Sequence, residues 1–379
     1  MNGNTKGTSR RTAPGWRFRP IRLRDVRITG GLWAERQRTN RLRTIPHVLD
    51  QCRETGRIEA LRLAWKPGQT PVPHIFWDSD VAKAVEAACC SLTTDPDPVL
   101  AARVDEIVGL LERAQQPDGY LNSHFVQVEP EKRWTNLRDC HELYCAGHLI
   151  EAAVAHAEAT GSSRLLDVAR RYADHIEALF GSEPGKKRGY PGHEEIELAL
   201  VKLAHATGEP RYLELARYFV LERGRQPYYY DIESRARGEE PKPIPYGSRA
   251  PYEYCQAHLP VTEQRTAEGH AVRAMYLYSA MADLAAETGS AELHSACRAL
   301  WENVTGRRMY VTGGVGSSGT GERFTTDYDL PNETAYAESC AAIGLVLWAH
   351  RMLCIEADGR YGDVMELALH NGVLASLSL

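Results

Sequence analysis

The stretch Ala159-Thr160-Gly161-Ser162-Ser163-Arg164-Leu165 decides how this chain folds. An alanine-rich helical pattern ends at its Thr-Gly pair, because glycine readily adopts the left-handed conformation that closes a helix. A new helical pattern opens a few residues later. The same joint returns at Thr207-Gly208 and at Thr288-Gly289. Such short connections join antiparallel helix pairs.

A period of 3.6 residues dominates the chain outward from these joints, as in the apolar set Val104, Ile107, Val108 and Leu111. The pattern predicts eleven helices, near residues 34–54, 80–93, 98–116, 140–160, 163–180, 193–207, 210–223, 266–287, 290–306, 333–356 and 361–376. The joints are too unevenly spaced for a regular solenoid, and long polar loops interrupt them at 226–260 and 313–331. We therefore predict an all-α (α/α)6 toroid of paired antiparallel helices whose loops build a site at one end.

Strand patterns are sparse. The clearest is Ile21–Ile28, and a shorter one is Met309–Val311. The expected domains are a loose N-terminal tail over residues 1–15, a strand segment over 16–33, and the toroid over 34–379.

Composition excludes several classes of protein. The 379 residues are 43% hydrophobic and carry a net charge of -5, which disfavours disorder and a nucleic-acid partner. No signal peptide is recognised, and no apolar run approaches the roughly 20 residues of a membrane span, so no membrane partner is expected. Nine irregularly spaced cysteines favour a reducing, cytoplasmic location over a disulfide framework. Self-association into a homodimer is left open.

Three histidines stand at similar loop–helix junctions: His141, His193 and His270. A single histidine at such a place is usually structural. Three of them, each beside acidic or glycine-rich sequence, favour a shared polar pocket. Neutral imidazoles suit ligands rich in hydroxyl groups, because each ring offers one donor and one acceptor.

The densest polar segment runs from Val311 to Thr334. Its glycines do not form a nucleotide-binding loop, since no Gly-Lys-Ser/Thr closes the run. The segment does present a carboxylate, Glu322. Sixteen residues later Glu338 and Cys340 form half of a possible zinc site, because carboxylate and thiolate both bind zinc. The alternative is a capping glutamate and a packed cysteine.

Long composite motifs carry a resemblance to a known family. They are Thr312-Gly313-Gly314-Val315-Gly316-Ser317, Asp327-Tyr328-Asp329-Leu330-Pro331-Asn332, Glu338-Ser339-Cys340-Ala341, Gly189-Tyr190-Pro191-Gly192-His193, and Gly269-His270-Ala271-Val272-Arg273. Together they resemble glycoside hydrolase family 127, the β-L-arabinofuranosidase family, over nearly all of the chain after about residue 20.

The resemblance implies a retaining β-L-arabinofuranosidase that carries its site on an (α/α)6 toroid. It implies that Glu322 is the catalytic acid/base, that Glu338 and Cys340 are zinc ligands, and that His141, His193 and His270 line the sugar pocket. A zinc-bound cysteine thiolate would act as the nucleophile. The expected partner is therefore a small sugar or oligosaccharide, and the expected cofactor is Zn²⁺.

The chain departs from the family pattern at its C-terminal end. The family places its nucleophile and a further zinc ligand in an adjacent Cys-Cys pair after the toroid, followed by β-sandwich domains. The sequence ends at Leu379, before that region. We expect an incomplete zinc site, weak zinc binding and negligible hydrolysis by this chain. Alternatives are a non-catalytic carbohydrate-binding remnant and another (α/α)6 sugar enzyme, either an unsaturated-uronide hydrolase or an epimerase.

Overall fold

A computed structural model describes residues 15–377, so most of the predicted tail over 1–15 lies outside the described residues. Fifteen α-helices occur in the described part. They are α1 Gly31–Thr39, α2 Ile45–Glu54, α3 Arg57–Ala60, α4 Trp77–Thr94, α5 Pro98–Ala114, α6 Ser123–Gln127, α7 Glu142–Thr160, α8 Arg164–Leu179, α9 Ile196–Thr207, α10 Pro210–Glu222, α11 Tyr229–Ala236, α12 Ala271–Thr288, α13 Ala291–Asn303, α14 Ser339–Glu356 and α15 Gly359–Leu367.

Shorter helical segments complete the described chain. Three π-helical segments, Asn40–Thr44, Val304–Arg308 and Ala368–Val373, continue α1 into α2 and extend α13 and α15. Five 3-10 turns lie at Leu23–Asp25, Pro130–Lys132, Glu253–Cys255, Val261–Glu263 and Leu374–Ser376.

The predicted joints end their helices as expected. Gly161, Gly208 and Gly289 follow α7, α9 and α12 with φ values of 73°, 75° and 68°. These are left-handed conformations that glycine adopts without a Cβ clash. Each joint turns the chain back on itself, so that α7 pairs with α8, α9 with α10 and α12 with α13.

The pairs are arranged around a common axis in two layers. Helices α4, α7, α9, α12 and α14 pack side by side in that order as an inner ring, and α2, α5, α8, α10, α13 and α15 form an outer layer. The all-α toroid predicted from the sequence is confirmed. Within residues 15–377 the inner ring has five members, and no comparable packing joins α14 back to α4.

Helix α14 borders this opening. Its 18 residues have a mean hydropathy of 1.3, so length and composition alone would allow it to cross a membrane. Half of the stretch is buried in the fold, where α14 packs on α12 and α15. Burial in the inner ring accounts for the apolar residues of the buried half.

Both predicted strands are wrong for the described residues. Ile21–Ile28 contains a 3-10 turn at Leu23–Asp25, and its apolar side chains are exposed, with Ile21 72% accessible. Met309 forms only a single bridge, to Val315. An alternating pattern becomes a strand only where another strand satisfies its backbone groups, and none lies alongside either segment.

Candidate active site

The three predicted histidines meet at one mouth of the toroid. His141 directly precedes α7, His270 directly precedes α12, and His193 lies three residues before α9. The ring centroids of His141 and His193 are 5.9 Å apart, and those of His193 and His270 are 5.6 Å apart. The inner ring therefore gathers residues that are up to 129 positions apart in sequence, since each occupies the same end of an inner helix.

The histidines are neutral near pH 7. Burial, followed by the positive charge of Arg273, lowers the pKa of His141 to about 4 and that of His270 to about 4. Burial and Arg273 also lower the pKa of His193 well below its ordinary value. The cluster can therefore donate and accept hydrogen bonds without carrying a charge of its own.

Hydrogen bonds to backbone carbonyls fix two of the tautomers. His141 Nδ1 lies 3.1 Å from the Asp139 carbonyl oxygen, and His193 Nδ1 lies 2.9 Å from that of Glu194. A carbonyl oxygen only accepts, so Nδ1 must carry the proton in both rings. Each ring then offers its unprotonated Nε2 as an acceptor for a hydroxyl group.

Glu322 lies next to His270. Its carboxylate accepts a hydrogen bond from Tyr336 Oη at 2.7 Å on Oε1, and lies 2.9 Å from His270 Nε2 on Oε2. His270 Nδ1 accepts from the backbone N–H of Arg273, so the proton of this ring is on Nε2 and points at Glu322. The hydrogen bond from Tyr336 and the contact with His270 lower the pKa of Glu322.

Backbone contacts hold the loop that carries Glu322 against the start of α12. The N–H of Ala271 donates to the carbonyl of Glu322, and the N–H of Phe324 donates to that of Gly269, both at 2.9 Å. Gly316 has φ 82°, and a Cβ there would stand 2.9 Å from the Ala271 side chain. The glycine-rich segment thus permits the close approach that sets Glu322 beside His270.

The loop before α9 is held equally firmly. Arg223 has no exposed surface and donates to the carbonyls of Pro191 and Cys255 at 2.8 Å each. Its guanidinium also lies 3.0 Å from both Glu194 and Glu197. A buried ion pair of this kind fixes the segment that carries His193 relative to α9 and α10.

Glu338 and Cys340 lie at the start of α14. Partial burial, the hydrogen bond of the thiol to Glu338 and the charge of that carboxylate raise the pKa of Cys340 to about 11. Cys340 is exposed, and its thiol lies within electrostatic range of Lys83 and Tyr276. The structure therefore brings these two predicted ligands together, with the thiol protonated in the absence of a cation.

Sequence reasoning missed several residues of the mouth. Tyr144 lies 4.4 Å from His193 between ring centroids, and its hydroxyl is 3.0 Å from Lys83 Nζ. Tyr276 lies 6.0 Å from His193. Tyr144 follows His141 by three residues, so helical spacing could have placed it on the same face.

A second group of possible metal ligands lies deeper in the ring. Donor atoms of His148, Glu151 and Glu195 all lie within 4.8 Å of one another. All three residues are buried, and sequence analysis singled out none of them.

Comparisons with known proteins identify relatives of this chain. Residues 25–379 match the β-L-arabinofuranosidase, GH127 catalytic domain. The chain is 44% identical over 310 residues to a non-reducing end β-L-arabinofuranosidase of Bifidobacterium longum, a match that covers 80% of this chain and 47% of the relative.

Two solved structures have the same fold. A GH127 β-L-arabinofuranosidase from Geobacillus stearothermophilus T6 superposes with a TM-score of 0.90 at 51% identity, covering 93% of this chain and 56% of that one. A second GH127 β-arabinofuranosidase superposes with a TM-score of 0.87 at 37% identity, covering 96% of this chain and 56% of that one. The chain thus spans about half the length of the relatives it matches.

Proposed function

The chain belongs to the GH127 β-L-arabinofuranosidase family, and from that membership we propose that it serves the hydrolysis of terminal β-L-arabinofuranosides with retention of configuration. The observation that carries the proposal is the placement of Glu322. Its carboxylate lies between His270 and Tyr336, and the ring of His270 adjoins that of His193 in the mouth.

Glu322 is the group we assign to proton transfer. Protonated, it would donate to the departing glycosidic oxygen; ionised, it would later take a proton from the attacking water. The lowered pKa of Glu322 favours the ionised form that the second half of this cycle needs. Shielding of the carboxylate by a bound sugar would raise that pKa toward the value the first half requires.

The histidines are the groups we assign to sugar binding. Their neutral rings present Nε2 acceptors from His141 and His193, which match the hydroxyl hydrogens of a furanose. Tyr144 and Tyr276 add ring surface beside them. A pocket with this balance of acceptors and aromatic surface suits a small neutral sugar better than a charged ligand.

Zinc is the cofactor we propose, with Glu338 and Cys340 as two of its ligands. The donor set fits, since a carboxylate and a thiol stand together at an exposed edge of the mouth. Zinc bound there would keep coordinated thiols deprotonated. Cys340 must release its own proton to bind the cation, so binding there depends on pH.

The setting we propose is the cytoplasm. All nine cysteines are free in the structure, which is compatible with a reducing compartment.

A titration of L-arabinose by calorimetry tests the sugar pocket without requiring turnover. We expect binding that His193→Ala weakens roughly tenfold, the effect of losing a hydrogen bond to a buried partner. His205→Ala is the matched control, because His205 lies near the far end of α9 and pairs with Glu287. A folded chain that does not bind the sugar would contradict the proposal.

A nitrophenyl β-L-arabinofuranoside, assayed with added Zn²⁺, tests the chemistry. We expect no more than trace release, in keeping with the negligible hydrolysis expected of this chain. Trace release with retained configuration, lost in Glu322→Gln, would support the hydrolase. Binding without any release would favour a non-catalytic carbohydrate-binding chain, and isomerised free sugar would favour an epimerase.

A further inference from the structure

A buried polar cluster continues the inner face of α7 below the sugar-binding mouth. His141, Tyr144, His148 and Glu151 recur at three- and four-residue steps, so they share one face of the helix. His148 lies seven residues beyond His141, about 10 Å further along the axis. Glu195, which directly precedes α9, meets this face from the neighbouring helix.

The cluster is compact and closed to solvent. His148 Nδ1 lies 3.2 Å from Glu195 Oε1 and 3.9 Å from Glu151 Oε2. The side chains of His148, Glu151 and Glu195 are 3%, 9% and 0% exposed. Two donors of α7 and one donor from the residue before α9 therefore face one another in the interior.

His148 lacks hydrogen-bond partners, whereas Glu195 shares a hydrogen bond with Glu151. His148 Nδ1 lies 3.2 Å from Glu195 Oε1 but is not aligned with it as a hydrogen bond, and neither ring nitrogen has a partner among the described residues. Leaving a buried polar group unpaired costs about 1–3 kcal/mol. Two unpaired nitrogens on a ring that is 3% exposed indicate that another group satisfies them.

The nearby cations are already engaged with other carboxylates of this region. Arg351 pairs with Asp283 at 2.8 Å, and Lys202 contacts Glu151. Burial, followed by the charge of Glu151, raises the pKa of Glu195 well above its ordinary value, so this carboxyl holds a proton. A bound divalent cation would take the place of that proton, because a carboxyl group binds a metal in its ionised form.

We propose that His148, Glu151 and Glu195 bind a divalent cation of the Zn²⁺ class, at a site separate from Glu338 and Cys340. One imidazole nitrogen and two carboxylate oxygens are typical ligands of zinc, with further positions filled by water. Tetrahedral zinc holds its donors about 3.4 Å apart, so donors now within 4.8 Å need only small movements. Lys202, which contacts Glu151, is 40% exposed and has room to turn outward.

The cation would tie α7 to the start of α9, directly beneath the histidines. The cation would not contact the sugar, so a test of this site is independent of the proposed hydrolysis. The cation would have a structural role, because it would cross-link two inner helices. Gly147 already allows these helices to approach closely.

Metal content of the Cys340→Ser chain tests the site, because that change removes the thiolate ligand of the other one. We expect about one Zn²⁺ per chain after dialysis against the metal-free buffer. Adding His148→Gln should weaken binding roughly 100-fold, as loss of one of three ligands would. His156→Gln is the matched control: His156 is buried on the same helix but outside the cluster.

Cobalt replacement distinguishes the two sites in the unaltered chain. A nitrogen–oxygen site gives weak visible bands without the near-ultraviolet charge-transfer band of a thiolate. Circular dichroism reports whether each variant is folded, and Glu195→Gln provides a second ligand change if His148→Gln is not. A folded Cys340→Ser chain that retains no zinc, or that retains it equally with and without His148, would overturn the proposal.

Discussion

Glu322 is the residue on which the chemistry of the mouth depends, and the chain holds it in an uncommon conformation. Its φ of 51° is left-handed, although the residue is not glycine. A left-handed non-glycine residue persists only where its surroundings fix it. Here the backbone contact with Ala271 and the hydrogen bonds of its carboxylate supply that constraint.

Replacing Tyr336 with phenylalanine should raise the pKa of Glu322 toward its ordinary value. The hydroxyl of Tyr336 is the largest influence lowering that pKa, since its hydrogen bond stabilises the ionised carboxylate. The pKa can be followed by NMR titration of the labelled glutamate side chain, which requires no turnover. Tyr328→Phe is the control, because Tyr328 lies in the same loop and is 72% exposed. An unchanged Glu322 pKa in Tyr336→Phe would contradict this account.

Arg223→Met should destabilise the fold by about 3–5 kcal/mol, because it leaves two buried carboxylates without their cation. Urea unfolding measures the loss. The control is Arg217→Met, which removes an exposed pair with Glu214 and should cost less than about 1 kcal/mol. Equal losses of stability in the two variants would show that the buried ion pairs of Arg223 contribute no more than an exposed pair does.

Between elements, the decisive feature is how closely the inner helices approach. A Cβ on Gly147 of α7 would stand 2.6 Å from Glu195 Cγ and 2.8 Å from the backbone nitrogen of Ile196. A backbone atom cannot move aside as a flexible side chain can. Glycine at this position therefore sets the distance between α7 and α9, and with it the spacing of His141 from His193.

Gly147→Ala should lower the free energy of unfolding by about 1–3 kcal/mol, the usual cost of overpacking a core. The control is Gly109→Ala on α5, where the nearest atom is the flexible end of Arg113 at 3.3 Å. That change should stabilise the chain by up to about 1 kcal/mol through helix propensity. Thermal unfolding of both variants makes the comparison, and stabilisation by Gly147→Ala would refute the close packing described here.

For the molecule as a whole, the inner ring is open between α14 and α4 within residues 15–377. Ile343 and Leu347 on α14 are 43% and 38% exposed, whereas Leu345 on its other face is fully buried. A cavity of about 580 Å³ lies nearby between α2 and α4. Cys340 stands at the same edge, so the predicted zinc ligands face the open side.

Ile343→Lys should therefore change the stability of the chain by less than about 1 kcal/mol, as exposed substitutions do. Leu345→Lys would bury an unpaired charge and should cost about 3 kcal/mol or more. The melting temperatures of the two variants, compared with that of the unaltered chain, measure the two losses of stability. If Ile343→Lys unfolded the chain as readily as Leu345→Lys, α14 would be enclosed on both faces.

The sequence by itself determined the helical pairing, because Thr-Gly joints and the 3.6-residue period are local signals. Gly161, Gly208 and Gly289 each end the expected helix. It also determined the family, since the composite motifs around His193, His270 and Glu322 are long. The strand expected at Ile21–Ile28 failed because a local pattern cannot show whether a partner strand exists.

Only the tertiary structure decided which residues meet. The contact between Glu322 and His270, the buried ion pairs of Arg223 and the cluster around His148 join residues from separate helices and loops. Their spacing in sequence carries no common period, so no local rule could bring them together. The order of helices around the ring, with one side open beside Cys340, likewise follows from packing between distant elements rather than from any one segment.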